Sequence, residues 1–501
     1  MVRPEAISSL ALLLLLPGFA ITQPPRDQSA PTAEVLQQRM EKLLAILAEE
    51  QAALKESQLR IDQLRNQVIA LQADVAEVRT ASPAVSNQQD ASDTVAKLAS
   101  EVNAMREEQD LQQSEIATHE QTKVESASRY PLKLTGIILM NAFANSSAVD
   151  IIQSPTVAVP GAGNAGLSLR QTVLGLDARG PRLFGAPSAA DVRVDFFGGS
   201  DTGGYSNGGG TARFRTAHAE LAWRTARAFV EVDHPILNPH APSSLTAIAQ
   251  PALAWSGNLW NWIPQAGAEY SVVSGNSKRI LVQGALADIP DPPSLHTGTA
   301  AFPSPSLAEQ SRRPGSEVRL GYAHGDTNSG LQVGLGGYFS PHRNGSDFSF
   351  NAWAATFDYR IPITPNLELS GNAFRGSALG GLGAGAFKDY VYHRQGVTES
   401  YVPLDDAGGW SQIKARAGER LEFNAAFGLD NAFAHELRPY MTSPSSYYQN
   451  LARNATIMSN VIYSPSAYTL FSLEYRRINS SPTSGATSVS DVYGAAVGYR
   501  F

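Results

Sequence analysis

From Tyr130 to the C-terminus, apolar and polar side chains alternate with a period of two in one stretch after another. In Asp191-Val-Arg-Val-Asp-Phe-Phe197, Val192, Val194 and Phe196 share one face while Asp191, Arg193 and Asp195 share the other. Trp353, Ala355, Phe357 and Tyr359 line up in the same way against Thr356 and Asp358. Such spacing makes a strand greasy on one side and polar on the other. It predicts strands near 132–144, 167–179, 189–199, 212–223, 226–234, 265–273, 278–287, 316–324, 330–340, 348–361, 366–376, 409–417, 420–431, 450–463, 467–477 and 488–501. Sixteen is an even count, which an antiparallel single-chain barrel of the bacterial outer membrane requires.

The connections add a rhythm. Every second one is short, as at Arg224-Thr225, Asn276-Ser277, Pro362-Ile-Thr-Pro365, Gly418-Glu419 and Ser464-Pro-Ser466. The others are mostly long, including 145–166, 235–264, 288–315 and 377–408, and rich in Gly, Pro, Ser and Asn. Short turns on the periplasmic side and long loops outside are the rule for membrane barrels. The last strand ends on Phe501, with Tyr499, Val497, Ala495 and Tyr493 on the same face. Free, that edge would invite aggregation; closed against the first strand it disappears.

Before Tyr130 the period changes. Ala33, Met40, Leu47, Leu54, Ile61, Val68 and Val75 recur every seven residues, and three positions on sit Leu36, Leu43, Glu50, Ser57, Leu64, Leu71 and Val78. Twelve of these fourteen are apolar, which predicts a coiled coil over 24–129. A Ser/Asn/Gln-rich break falls near 82–92, and Val95, Leu98, Val102 and Met105 resume the stripe. Residues 1–23 carry Arg3, the apolar run 7–16 and a Pro17-Gly18 turn, the layout of an export signal. That run is too short to span a bilayer.

Composition divides at the same point. All 17 Tyr and all 6 Trp lie at or beyond Tyr130. Residues 24–129 hold 11 Lys/Arg against 18 Asp/Glu, whereas 130–501 hold 27 of each. The acidic excess belongs to the helical segment, and nothing points to nucleic acid. The absence of cysteine removes disulfides and thiolate chemistry. His218, His234, His240 and His324 sit at no metal-ligand spacing, and no nucleophile elbow or phosphate loop occurs; Asn207-Gly-Gly-Gly210 lacks a following Lys. No catalytic residue, metal or cofactor is therefore expected.

The candidate residues are lumen-facing charges: Arg193, Arg213, Arg215, Arg319 and Arg375, with Asp195 and Glu220 opposing them and Asp191 and Glu231 as further acidic partners. Such a ladder favours anions. The phase of the strand near 212–223 stays open, because Arg213 and Arg215 share a parity with Leu221 and Trp223. The other reading of each arginine is a strand-end charge at headgroup level.

Leu132-Lys-Leu-Thr-Gly-Ile-Ile138, Phe214-Arg-Thr-Ala-His-Ala-Glu220 and Ser256-Gly-Asn-Leu-Trp-Asn-Trp-Ile-Pro-Gln265, set in this layout, resemble the DcaP-like porins. Those are trimeric outer-membrane channels with a periplasmic coiled coil before a sixteen-stranded barrel. Val230-Glu-Val-Asp-His-Pro-Ile236 departs from the Gly-Gln-rich approach that relatives carry to their third long loop. The resemblance implies a homotrimer and an inward third loop at 235–264, stiffened here by Pro235, Pro239, Pro242 and Pro251. The ending at Phe501 also resembles the signal read by the barrel-assembly machinery of Gram-negative bacteria. The expectation is an outer-membrane porin with its stalk in the periplasm, passing small hydrophilic solutes with a preference for anions or dicarboxylates. The alternatives are a structural envelope tether or spacer and an outer-membrane hydrolase.

Overall fold

The computed structural model describes residues 131–198, 210–274, 277–293, 304–326, 329–345, 348–395, 398–440 and 447–501. The export signal, the heptad segment with its break, and residues 207–209 lie outside the described residues. Alternating side chains build β1 (Leu132–Val149), β2 (Ala158–Ser168), β3 (Val173–Leu183), β4 (Ala186–Gly198), β5 (Thr211–Ala222), β6 (Ala226–Asp233), β7 (Ile263–Ser274), β8 (Lys278–Ala287) and β9 (Gly315–His324). They continue with β10 (Leu331–Asn344), β11 (Phe348–Thr364), β12 (Leu367–Ser377), β15 (Asp405–Ala417), β16 (Leu421–Ala432), β17 (Leu451–Tyr463), β18 (Thr469–Pro482) and β19 (Ser488–Arg500). Each pairs antiparallel with its neighbours, and β1 closes on β19 from Ile137↔Arg500 to Asn145↔Val492. Gly136 and Phe501 exchange backbone hydrogen bonds of 3.0 and 3.1 Å at the seam. No edge is left open, which is the condition for a sheet to sit in hydrocarbon.

β2 and β3 lie end to end along β1, the first against 141–149 and the second against 132–137. They count as one stave, so the closed barrel has sixteen, as the alternation predicts. The single expected strand at 167–179 is thus broken at 169–172, where Arg170 and Gln171 turn into the interior. The expected connection 145–166 shrinks to 150–157, because β1 and β2 extend further than their apolar pattern shows. The region 377–408 contains a hairpin that alternation did not reveal, β13 (Tyr390–Gln395) and β14 (Thr398–Pro403).

The pleat sorts side chains as a membrane barrel needs. On β19, Tyr493, Val497 and Tyr499 face outward, exposed by 42–57%, while Val492 and Ala496 are buried inside. On β11, Trp353 and Phe357 point out and Thr356 and Asp358 point in. Leu167, Val230, Leu320, Leu335 and Leu473 continue the outer apolar surface around the wall. Water-soluble proteins rarely expose apolar patches beyond a few hundred Å². Aromatic pairs such as Tyr468–Tyr499 and Tyr463–Phe471 stack near the short-turn end, where amphipathic rings favour the interface. Among the described residues, no helix is long and apolar enough to cross a membrane.

Candidate functional site

The interior is narrowed by residues 234–262, which leave the long-loop end between β6 and β7 and fold into the lumen. Irregular backbone at that depth must find its hydrogen bonds on the barrel wall. Inward side chains supply them. Thr356 and Asn372 donate to Leu237 O at 3.4 and 3.2 Å, and Asn460 donates to Ser243 O at 2.7 Å. Gln412 accepts from Ser243 N at 2.8 Å, and Asn454 donates to Trp255 O at 3.0 Å. Gln171 alone makes three bonds to the loop, donating to Thr246 O and accepting from Ile248 N and Ala249 N. Gly257, at φ 93°, presses so closely on Gly409 that a Cβ there would overlap the Gly409 carbonyl. Apolar contacts complete the seat: Leu237 with Tyr338 and Phe374, Leu253 with Trp410 and Met458, Leu245 with Leu139 and Leu470.

A second loop locks the first. Phe387 stacks on Trp255 at 3.9 Å and on Tyr448 at 4.5 Å. Gly385, Ala386 and Phe387 all have positive φ (66°, 45° and 70°), a conformation costing about 1–3 kcal/mol per non-glycine residue. It is held by buried carboxylates, Asp406 accepting from Gly385 N at 2.8 Å and Asp430 from Ala386 N at 2.9 Å. The buried Lys388 amine donates to the carbonyls of Ala386, Tyr448 and Leu451 at 2.6–2.9 Å. Burial pushes its pKa down to about 7, against the pull of Asp430 and Asp406. Burial pushes the neighbouring Asp389 up to about 8, with Asp291 adding to the shift.

Charge pairs line β3–β6. Arg193 contacts Asp177 at 2.5 Å and Asp191 at 3.4 Å, with side chains 29–37% exposed. Glu220 binds Arg227 at 2.5 Å, both 31% exposed, and Arg227 reaches Glu231 at 3.0 Å. His218 sits between Asp191 and Asp233 at 3.0 and 2.9 Å. Glu220 and Glu231 thus serve Arg227, which the sequence reading did not single out.

Near the long-loop end Arg213 and Arg215 share one carboxylate. The fully buried Asp195 binds Arg213 through both oxygens, at 3.0 and 2.7 Å, and lies 3.7 Å from Arg215. Arg213 and Arg215 also donate to Ala249 O and Ile248 O of the inward loop, each at 2.6 Å. Their guanidiniums lie over the Trp262 ring at 5.1 and 4.7 Å, and Arg170 lies over Phe197 at 4.6 Å. Two guanidiniums therefore share one carboxylate, and a third lies over the Phe197 ring that Arg213 also approaches, at 5.8 Å.

The open question about the phase of β5 has a physical answer. Arg193 pairs with Thr216 and Val194 with Phe214, so Arg215 is a bulge. One extra residue flips the register, and Arg213 and Arg215 turn inward although Leu221 faces out. The remaining two candidates lie elsewhere. Arg319 is 6% exposed and tied to Asp358 at 2.7 and 2.6 Å and to Gln283 at 2.8 Å, sealed behind the inward loop. Arg375 is on the outer face, opposite Ala355, 2.5 Å from Asp405 and stacked on Phe433 and Trp353. Its odd position on β12 shares the lipid-side parity of Ala373, so it is a rim charge at headgroup level and not a lumen charge. Sequence reasoning missed Arg170, Gln171 and Trp262; the one available signal was polar Arg-Gln-Thr interrupting the 167–179 alternation.

Among the described residues, no three His, Asp or Glu side chains gather as metal ligands. No family model and no curated protein matches the chain. Its fold is similar to that of the outer membrane channel DcaP of Acinetobacter baumannii, with a TM-score of 0.53 at 14% identity over 75% of this chain and 99% of that one. An anion-selective porin from Comamonas acidovorans aligns with 74% of this chain and 100% of its own at 12% identity, with a TM-score of 0.45. At such identities the likeness shows the fold alone.

Proposed function

We propose that this chain is an outer-membrane porin that passes small hydrophilic solutes passively and favours anions, dicarboxylates among them. The observation that carries the reading is the pair of Arg213 and Arg215 sharing the single carboxylate Asp195, beside the inward loop. Fixed guanidiniums in a narrow aqueous path raise the local concentration of anions and exclude cations. The paired groups along β3–β6, five carboxylates set against Arg193, Arg227 and His218, supply a transverse field and leave the anion preference to the arginines at the long-loop end. The similar fold of DcaP, an outer membrane channel, accords with this reading. We read the protein as non-enzymatic, residues 1–23 as its export signal, and 24–129 as a coiled-coil segment that assists a homotrimer; Phe501 would be its handle for barrel assembly.

Liposome swelling tests the preference. Vesicles carrying the protein should admit succinate faster than a neutral solute of equal size. Replacing Arg213 and Arg215 by Gln should abolish that advantage while neutral flux persists. Equal rates for succinate and the neutral solute in the wild type would refute the proposal.

A further inference from the structure

His218 stands on the inner wall between two strands that each offer it a carboxylate. Across the ladder lies Asp191 of β4, and Asp233 comes from β6 on the other side. Its Nδ1 is 3.0 Å from Asp191 Oδ1, and its Nε2 is 2.9 Å from Asp233 Oδ2. An ionised carboxylate can only accept, and a neutral imidazole has one N–H to give. Both contacts are therefore hydrogen bonds when the ring is an imidazolium. Asp233 continues the row, because its other oxygen accepts from His234 N at 2.7 Å and meets His234 Nδ1 at 2.6 Å. Asp191, His218, Asp233 and His234 thus form a chain of alternating sign, with side chains 22–35% exposed.

The charges packed around this chain are carboxylates and guanidiniums. Arg193 of β4 lies 3.4 Å from Asp191 and is itself held by Asp177 of β3. Arg227 of β6 is bound by Glu220 of β5 and by Glu231. Arg213 and Arg215, nearer the long-loop end of β5, share Asp195. The ordinary values of these groups, about 4 and above 12, lie on either side of the range in which an imidazole changes charge. Each ring proton lost therefore adds one negative charge to this stretch of wall, whatever the neighbouring pairs sum to. We infer that His218 is a selectivity-determining residue: its ring proton lets anions pass the stretch between Asp191 and Asp233, and losing it turns that stretch toward cations. The inference rests on the anion-porin reading and adds a condition to it. An anion drawn in by Arg213 and Arg215 next meets His218, three residues beyond Arg215 on β5. With the ring charged, Asp191 and Asp233 each face a cation. With the ring neutral, Asp191 keeps Arg193, which Asp177 also claims, and Asp233 keeps His234. Like charge in a narrow aqueous path repels the ion that the entrance attracts.

The test is the chloride-to-potassium permeability ratio of the full chain in planar bilayers, taken from reversal potentials at about pH 6 and about pH 10. The wild type should prefer chloride at the lower pH. Its ratio should fall about fivefold at the higher one, the effect in water of one unit charge on an ion passing about 4 Å away. His218→Gln should have a low ratio already at the lower pH and change by no more than about twofold. His218→Arg keeps a permanent cation between the two carboxylates and should hold the high ratio at both pH values. It also decides the matter alone should the glutamine variant fail to assemble, since a wild-type fall in His218→Arg would overturn the inference. So would a wild-type ratio that changes by less than about twofold, or a full wild-type fall in His218→Gln. Chloride preference at the lower pH under any of these results leaves the porin reading standing; its absence there would remove both.

Discussion

Asp195 is the residue on which the arginine cluster turns. Without exposure of its own, it neutralises Arg213 directly and Arg215 at longer range. In Asp195→Asn the bidentate pair is lost and two guanidiniums face the lumen unopposed. Anion preference should rise, while the barrel loses about 1.5–3 kcal/mol, the range for a hydrogen bond to a charged group. The temperature at which the band shifts on semi-native electrophoresis reports the second effect, and an unshifted temperature would show that Asp195 is dispensable. Asp389 gives a pH dependence. Its carboxyl titrates near 8 when folded, above its ordinary 3.8, so its contribution is complete in acid and fades as pH climbs from about 4 through 8. Lys388, lowered to about 7 from 10.5, works the other way, its burial cost easing between about 7 and 10.5. Below 7 Asp389 acts together with Asp406 and Asp430, whose carboxyls burial also raises. Amide protection of residues 380–389, corrected for intrinsic exchange, should therefore fall between pH 5 and 7, and Asp389→Asn should reduce that slope. An unchanged slope in the variant would rule this carboxyl out.

At the scale of elements, the strands and the inward loop were legible and the contacts that seat the loop were not. Period-two alternation is local, and each stave announces itself through residues such as Val192, Val194 and Phe196 whatever its neighbours do. The inner wall reads locally only as polar. That Asn372, Asn454, Asn460 and Gln412 hold loop backbone was not visible, since their partners lie far away in sequence. The break at 169–172 belongs to the same class: Gln171 turns inward to serve Thr246, Ile248 and Ala249, at the expense of the strand it interrupts. The bulge at Arg215 left an ambiguity in parity but no direction for resolving it. Arg375 misled because a charge on the lipid side at a rim has the same local pattern as a charge in the lumen. Gln171→Ala removes three loop contacts at once, so single-channel current should become noisier and its mean conductance larger. A quiet channel of wild-type conductance would mean that the remaining wall contacts hold the loop alone.

For the molecule as a whole, the outer and inner surfaces follow from a single periodicity. One set of side chains makes the wall insoluble in water; the next set makes its interior a path for ions. The loops then decide what passes, filling the lumen against β10–β12 and β15–β18 and meeting the charge-paired wall β3–β6 at Arg213 and Arg215. Balanced charge across 130–501 means that the sign of selectivity comes from where Arg213 and Arg215, which share one carboxylate, stand. The most direct measurement is the zero-current potential of the purified full chain in a planar bilayer under a KCl gradient. Discrete, ohmic openings with a reversal potential displaced toward the chloride equilibrium value are expected. Displacement toward the potassium value, or a bilayer that stays silent, would contradict the account.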